Sequence, residues 1–195
     1  MKYQKKYLFL LIALLFCGFT LEGIAQKKQH TTAKKKAVVA EKKKPELPKI
    51  TANYGKYDFS FTTLDGKKIH LSDYAGKAVL VNIWAPWCGP CRIETPGFLK
   101  MYDEYKAKGF EIIGVAVQTN EGDVRSFIAK ENISWPVGIE DDVAVKYGTY
   151  GLPDNYLFNP DGTVQKHFIG YTREESLRPN IEEALKKIIP ASSTK

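Results

Sequence analysis

A run of apolar residues followed at once by two closely spaced cysteines is the feature that most constrains this chain. Residues 78–85 read A-V-L-V-N-I-W-A, which has the length and character of a strand covered on both faces. Cys88 and Cys91 come directly after it. A stretch with apolar residues at helical spacing then continues to Gly109, a residue type common at helix ends. This order predicts an α/β domain with the cysteine pair at the beginning of a helix.

The rest of the pattern predicts a mixed sheet flanked by helices. The expected elements, in chain order, are a β-hairpin around Asp65-Gly66, a strand over 111–117, helices over 123–132 and 142–147, and a hairpin over 155–168. The two strands joined by the first helix should be parallel, because such crossovers join parallel strands. A last helix begins either near Thr172, in a capping box with Glu175, or near Pro179.

The positions of the two cysteines predict separate chemical roles. At the start of a helix, free backbone N–H groups and the helix dipole favour a thiolate, so Cys88 is the expected attacking nucleophile. Cys91 lies about one turn deeper, where it can reach Cys88 and resolve a mixed disulfide. Gly89 and Pro90 fix the tight turn between them and are expected to be among the substrate-binding residues. Trp87, directly before the nucleophile, is expected to cover the site and to contact partners.

The surrounding residues disfavour metal binding by the cysteine pair. Covalent haem attachment needs a histidine after the second cysteine, and this chain has Arg92 there. A structural zinc site needs four ligands, but there is no second cysteine pair, and His30, His70 and His167 are scattered. We therefore expect no metal and no cofactor, and we expect exchange between a dithiol and a disulfide.

Residues 1–25 are predicted to be a signal peptide, because lysines precede an apolar run over 7–19 and small residues stand before position 26. Cleavage there would leave two cysteines in the mature protein. A disulfide closing so short a loop removes little chain entropy, which favours a redox pair over a structural one. An uncleaved membrane anchor and a lipid-modified Cys17 stay open, although the apolar run is short for a bilayer and a bulky residue precedes Cys17.

The net charge of +7 comes from one N-terminal segment. Residues 26–49 hold nine lysines against two glutamates, whereas the chain from Ile50 onward carries two more acidic than basic side chains. We therefore expect no nucleic-acid partner. The predicted organisation is a Lys-rich flexible linker over 26–52, a folded domain over 53–190 and a tail over 191–195. The linker is either a spacer only or also makes weak contact with anionic lipid headgroups.

These motifs carry a family resemblance. The apolar strand, the W-C-G-P-C motif, Pro96 in the next helix and Pro153 before a late strand resemble thioredoxin over roughly 69–189. The early hairpin, Asn82 within the strand, and Cys-x-x-Glu-x-Pro over 91–96 resemble more closely the TlpA/ResA group of exported thioredoxin-like proteins. The resemblance implies a thioredoxin fold: a central mixed sheet flanked by helices, with an extra N-terminal β-hairpin.

The resemblance also implies roles for residues outside the motif. In the TlpA/ResA group the counterpart of Pro153 is a cis-proline facing the disulfide, so Leu152 and Pro153 are expected to bind the substrate backbone. Thioredoxins have a buried Asp where this chain has Asn82, so another group must handle the proton of the buried thiol. Glu94, one turn beyond Cys91, is the expected group. A role that only complements the helix dipole stays open for Glu94.

The implied activity is thiol-disulfide exchange in the periplasm or cell envelope. Gly-Pro between the cysteines resembles the reducing thioredoxins, which favours reduction of protein disulfides. The resemblance implies apo-cytochrome c as one substrate and a membrane-embedded thiol reductase as the electron donor. We expect a monomer. Two other functions stay open: a peroxiredoxin-like thiol peroxidase, although Ala85 stands where such enzymes carry Thr, and a copper-binding chaperone, with His167 as the candidate third ligand.

Overall fold

The computed structural model describes residues 51–188. The predicted signal peptide over 1–25 with Cys17, the Lys-rich linker up to residue 50, and the tail over 191–195 lie outside these residues. Between residues 51 and 188, none of the helices combines the length and apolar character that crossing a bilayer requires.

Strands and helices alternate along the described part of the chain. The strands are β1 (Ser60–Thr62), β2 (Lys68–His70), β3 (Ala78–Trp84), β4 (Phe110–Ala116), β5 (Val137–Ile139), β6 (Asp154–Phe158) and β7 (Val164–Ile169). The α-helices are α1 (Gly89–Tyr105), α2 (Glu121–Glu131), α3 (Asp141–Tyr147) and α4 (Glu174–Lys186). Short 3-10 turns cover Gly55–Tyr57, Leu71–Tyr74 and Lys106–Lys108.

Five strands form one mixed sheet in the order β5-β4-β3-β6-β7. β3 is parallel to β4, and β4 to β5, whereas β6 is antiparallel to β3 and β7 is antiparallel to β6. The predicted parallel crossover from β3 through α1 to β4 is therefore confirmed, as is the late antiparallel hairpin. β1 and β2 form a separate antiparallel pair, which is the predicted N-terminal hairpin.

β3 is buried along its whole length because both faces of the sheet are covered. Leu80 and Trp84 belong to a core formed with α1, α2 and α4. Val79, Val81 and Ile83 belong to a second core on the opposite face, formed with the hairpin, α3 and several aromatic residues. Each fully buried large aliphatic side chain contributes roughly 1.5 to 3 kcal/mol, so the apolar run makes β3 the anchor of the fold.

The N-terminal hairpin packs beside β5, a short strand that the sequence pattern did not predict. Thr63 bridges to Gly138, and the Leu64 N–H donates to the Val137 carbonyl at 2.8 Å. Gly138 has no Cβ, and a Cβ placed there would lie 2.1 Å from the Phe61 ring. The hairpin can therefore approach the sheet only because position 138 is glycine.

The last helix begins near the first of the two predicted positions but without the predicted capping box. α4 starts at Glu174 with Arg173 as its N-cap, and Pro179 lies inside the helix. Thr172 precedes the N-cap and is buried, and no side-chain hydrogen bond caps the helix, so the predicted capping box is absent. Its polar groups are used in the site described next.

Candidate active site

The two cysteines form a disulfide at the beginning of α1. The sulfur atoms lie 2.11 Å apart and the Cα atoms 5.3 Å apart. Cys88 is the N-cap of the helix, and the Cys91 backbone N–H donates to the Cys88 Sγ at 3.2 Å. Gly89 and Pro90 open the helix, where proline is tolerated because its missing N–H would have no partner in the helix. The structure therefore shows the oxidised form of the predicted pair.

Burial alone does not distinguish the two cysteines in this oxidised form. Cys88 is 4% exposed and Cys91 is 2% exposed. The difference lies in their position on α1: the unpaired end of the helix and the Cys91 N–H both favour negative charge on the Cys88 sulfur. Attack by Cys88 and resolution by Cys91 therefore remain the chemically favoured order.

Trp87, directly before Cys88, is an exposed aromatic side chain. It is 59% exposed, and its indole Nε1–H donates to the Gln118 carbonyl at 2.9 Å. The Gln118 N–H donates in turn to the Asp141 Oδ1 at 2.7 Å. Gln118 has a left-handed backbone with φ of 50°, uncommon for a residue other than glycine. The loop after β4 therefore holds the indole in place, a role that nothing in the local sequence marked.

The peptide bond between Leu152 and Pro153 is cis, as the resemblance implied. Pro153 is buried, Leu152 is half-buried, and the Pro153 carbonyl accepts from the Gly170 N–H at 2.8 Å. Asp154, the next residue, pairs with Ile83 near the end of β3. Because the chain runs from that end of β3 into Cys88, the cis-proline and the cysteine pair lie at the same edge of the sheet.

Glu94 lies on the same side of α1 as Cys91 and is 2% exposed. It accepts from Asn82 Nδ2 at 3.2 Å and from Asn155 Nδ2 at 3.3 and 3.2 Å, one contact to each carboxyl oxygen. The Thr172 backbone N–H donates to the Glu94 Oε2 at 3.1 Å. Glu94 is therefore a buried carboxyl group held by donors from three separate elements.

Burial raises the pKa of Glu94 to about 8, whereas the hydrogen bonds from Thr172, Asn155 and Asn82 lower it. Desolvation dominates because burial penalises the charged form more than these donors stabilise it. A carboxyl group with this pKa can release or accept a proton near neutral pH. If Glu94 served only to complement the helix dipole, its side chain would not need to be buried.

Asn155 and Thr172 were missed by the sequence analysis. Asn155 is 0% exposed and also accepts from Asn82 Nδ2 at 2.7 Å, while its own amide donates to the Thr172 Oγ1 at 3.2 Å. A polar Asn82 inside an apolar strand does indicate that a buried partner exists. Nothing in the sequence indicates that the partner comes from a strand 73 residues later.

His167, the residue considered as a copper ligand, is committed to another interaction. Its Nε2 lies 2.5 Å from the Asp154 Oδ1, and its ring stacks on Tyr156 with the ring centres 3.8 Å apart. Within residues 51–188, no cluster of three or more His, Cys, Asp or Glu side chains is arranged to hold a metal ion.

An open cavity of about 440 Å³ lies away from the cysteine pair, between the turn of the N-terminal hairpin and α2. Its lining includes Leu64, Tyr74, Arg125 and Trp135, but none of the predicted site residues. Exchange with a protein disulfide takes place at an accessible sulfur and does not need a deep cavity.

The chain is similar to a known protein family and to proteins of several bacteria. A family model described as the AhpC/TSA family matches residues 55–167. The thiol-disulfide oxidoreductase ResA of Bacillus thuringiensis subsp. konkukian is 37% identical over 135 residues, which cover 68% of this chain and 76% of that protein. ResA of Bacillus anthracis is 37% identical over 154 residues, which cover 77% and 83%.

A crystal structure from Chlorobium tepidum, described as a thiol:disulfide interchange protein of the thioredoxin family, matches with a TM-score of 0.61 and 26% identity. The match covers 70% of this chain and 96% of that one. The region matched by the family model contains the cysteine pair, Glu94 and the cis-proline, and ends before Thr172.

Proposed function

We propose that this chain, which belongs to the AhpC/TSA family of thioredoxin-fold proteins and is a thiol-disulfide oxidoreductase, reduces disulfide bonds of other proteins through Cys88 and Cys91. The observation that carries the proposal is the Cys88–Cys91 disulfide at the beginning of α1, at the same sheet edge as the cis-proline Pro153. This arrangement supports the proposal that an extended partner peptide pairs with backbone at the cis-proline while its disulfide meets Cys88.

In the proposed reaction the reduced pair starts as a Cys88 thiolate and a Cys91 thiol. The thiolate attacks one sulfur of the partner's disulfide, which forms a mixed disulfide and releases the partner's other sulfur as a thiolate. Cys91 then loses its proton, and its thiolate attacks the Cys88 sulfur. This second step releases the partner's remaining thiolate and leaves the Cys88–Cys91 disulfide, so two electrons pass to the partner.

The proton of Cys91 needs an acceptor in a part of the molecule that excludes water. Glu94 is the proposed acceptor in its ionised form, which a pKa of about 8 leaves as the minor form at neutral pH. It is buried on the same side of α1, and its pKa lies close to that of an ordinary thiol, about 8.5. Similar pKa values of donor and acceptor make the transfer nearly balanced in free energy. Asn82, Asn155 and Thr172 orient the carboxyl group.

The proposed setting is the periplasm or cell envelope, reached through the N-terminal signal peptide or with that segment retained as an anchor. The apolar run and the following lysines of the sequence support this setting. Relatives named thiol-disulfide oxidoreductase ResA support the exchange reaction. The resemblance to the TlpA/ResA group is the reason for proposing apo-cytochrome c as a substrate and a membrane-embedded thiol reductase as the electron donor. We further propose that the protein acts as a monomer.

Trapping a mixed disulfide tests the proposal. In a Cys17→Ser background, which leaves only the two site cysteines, Cys91→Ser should form a stable complex with a disulfide-bonded protein such as insulin. The complex should persist because no second thiol is present to release the partner from Cys88. Dithiothreitol should dissociate it, because a single disulfide joins the two proteins.

The matched control is Cys88→Ser in the same background, which should capture nothing because the attacking thiolate at the beginning of α1 is lost. Capture through Cys91 instead would contradict the proposed roles. Consumption of hydrogen peroxide much faster than reduction of insulin by the wild-type protein would favour the thiol peroxidase alternative.

A further inference from the structure

Asp154 is a buried carboxylate directly after the cis-proline, and the mechanism above does not use it. It is 3% exposed and forms the first residue of β6. The Thr149 Oγ1 donates to one of its oxygens at 2.7 Å, and the His167 Nε2 lies 2.5 Å from the other. Because a carboxylate only accepts hydrogen bonds, Nε2 carries the hydrogen of the second contact. Both oxygens of this buried group are therefore satisfied.

The three residues come from both sides of the Leu152–Pro153 peptide. Thr149 precedes it by three residues, Asp154 follows it, and His167 lies on the neighbouring strand β7. A bond between Thr149 and Asp154 closes the short loop that contains the cis-proline. The bond to His167 then fixes that closed loop to the sheet.

Asp154 and Asn155 point to opposite faces of the sheet, because side chains alternate along a strand. Asn155 bonds Glu94 on the face of α1 and α4. Asp154 bonds His167, which stacks on Tyr156 in the aromatic core of the other face. The first two residues after the cis-proline, Asp154 and Asn155, are thus hydrogen-bonded on opposite faces of the sheet.

Leaving a buried carboxylate oxygen without a donor carries a large desolvation penalty. Loss of the donor at His167 therefore favours movement of Asp154 toward water, and the loop attached to it moves with it. Packing of the His167 ring on Tyr156 does not by itself prevent this movement, since stacking gives no hydrogen bond.

We propose that Asp154 and His167 are positioning residues for the recognition of protein substrates: their hydrogen bond holds the Leu152–Pro153 backbone in place to pair with an extended partner chain. This inference rests on the proposed function. It predicts that weakening the bond impairs reaction with a protein disulfide, which needs the backbone contacts, more than reaction with a small disulfide, which needs only the reactive sulfur.

Two substitutions at position 167 separate hydrogen bonding from packing. His167→Phe keeps a ring that can stack on Tyr156 but removes the donor. His167→Gln removes the ring but keeps an N–H donor at a similar distance along the side chain. Thr149→Val removes the other donor with little change of shape. Tyr147→Phe is the matched control, because it removes a 2.8 Å hydrogen bond to the Tyr57 carbonyl in the same aromatic core without touching the loop.

The experiment follows single turnovers of the pre-reduced full chain with excess insulin or excess dithiobis(nitrobenzoic acid), alongside thermal unfolding and the reduction potential of the cysteine pair. Here kcat is the maximal rate at which the Cys88–Cys91 dithiol is oxidised, and KM is the substrate concentration that gives half that rate. For His167→Phe and Thr149→Val we expect kcat/KM with insulin to fall about tenfold or more, mainly through KM, as misplaced binding groups cause. The ratio of kcat/KM with insulin to kcat/KM with the small disulfide should return close to the wild-type value in His167→Gln. Tyr147→Phe should keep that ratio even where it lowers the unfolding temperature.

Equal kinetics of His167→Phe and wild type with insulin would overturn the inference. The inference would also be overturned if kcat/KM with insulin fell further in His167→Gln than in His167→Phe. In that case the ring of His167, and not its hydrogen bond, would be the part that matters. A wild-type protein that reduces the small disulfide but not insulin would overturn the proposed function instead, and the inference that rests on it.

Discussion

At the scale of single residues, Glu94 shows how opposing effects set one functional property. Three backbone or amide donors favour its charged form, whereas burial opposes charge more strongly and raises its pKa to about 8. The carboxyl group is therefore protonated in the folded protein over a pH range in which an exposed glutamate is ionised. This difference can be measured as a dependence of stability on pH.

We predict that the free energy of unfolding of the oxidised wild-type protein decreases as the pH rises from about 5 to about 8, by up to about 1.4 kcal/mol per pH unit. In this window the folded state holds one proton on Glu94 that the unfolded state has lost. The stabilising effect is complete below the unfolded pKa of 4.5 and is lost as the pH rises through the folded pKa of about 8. Glu94→Gln should lack this component.

Urea unfolding at several pH values gives the free energy of unfolding of wild type and of Glu94→Gln. The titration of all other groups cancels in the difference between the two proteins. Glu121→Gln serves as a control, because this exposed carboxylate pairs only with Arg125 at the surface and should give a curve parallel to wild type above pH 5. Parallel curves for Glu94→Gln and wild type would contradict the assigned protonation state of Glu94.

The sequence indicated the reactive residues of the site better than the residues that hold them by hydrogen bonds. Cys88 and Cys91 could be named because they stand three residues apart at the beginning of one helix, where local spacing determines geometry. Glu94 could be named from the same spacing together with the family resemblance. Asn155 and Thr172 could not be named, because they contact Glu94 across 61 and 78 residues of sequence. Contacts of that range depend on the fold as a whole.

At the scale of elements, the hairpin of β1 and β2 depends on one close approach to β5. The Phe61 ring occupies the space where a Cβ of residue 138 would be, and the Thr62 carbonyl lies 2.6 Å from the same position. The sequence predicted the hairpin from its alternating residues and its Asp65-Gly66 turn. It did not predict β5, because that strand has three residues, contains glycine and follows a proline.

We predict that Gly138→Ala destabilises the protein by about 1 to 3 kcal/mol, because the added methyl group overpacks the contact between hairpin and sheet. Gly97→Ala is the matched control. In the middle of α1 the new methyl group would meet only the Glu174 Cβ at 4.0 Å, and alanine favours helix over glycine by about 0.5 to 1 kcal/mol. Denaturant unfolding compares the two, and equal stability of Gly138→Ala and wild type would show that the hairpin can shift without cost.

At the scale of the whole molecule, the fold gathers separate parts of the chain at one edge of the sheet. The end of β3 leads into Cys88, the cis-proline precedes β6, and Thr172 follows β7 before α4 begins. The succession of most helices and strands along the chain and the parallel crossover could be predicted from the apolar runs. That one edge would combine a buried carboxyl group, a disulfide and a cis peptide could be expected only through the family resemblance.

The central claim is that this assembled site works as a reductant of protein disulfides. The measurement that tests it most directly is the equilibrium reduction potential of the Cys88–Cys91 pair in a glutathione redox buffer, with Cys17→Ser as the background. We predict a value near that of the reducing thioredoxins, about −270 mV, at which the reduced pair passes electrons to most exposed disulfides. A value near that of the strong oxidants, about −120 mV, would contradict the claim, because such a pair donates its disulfide instead.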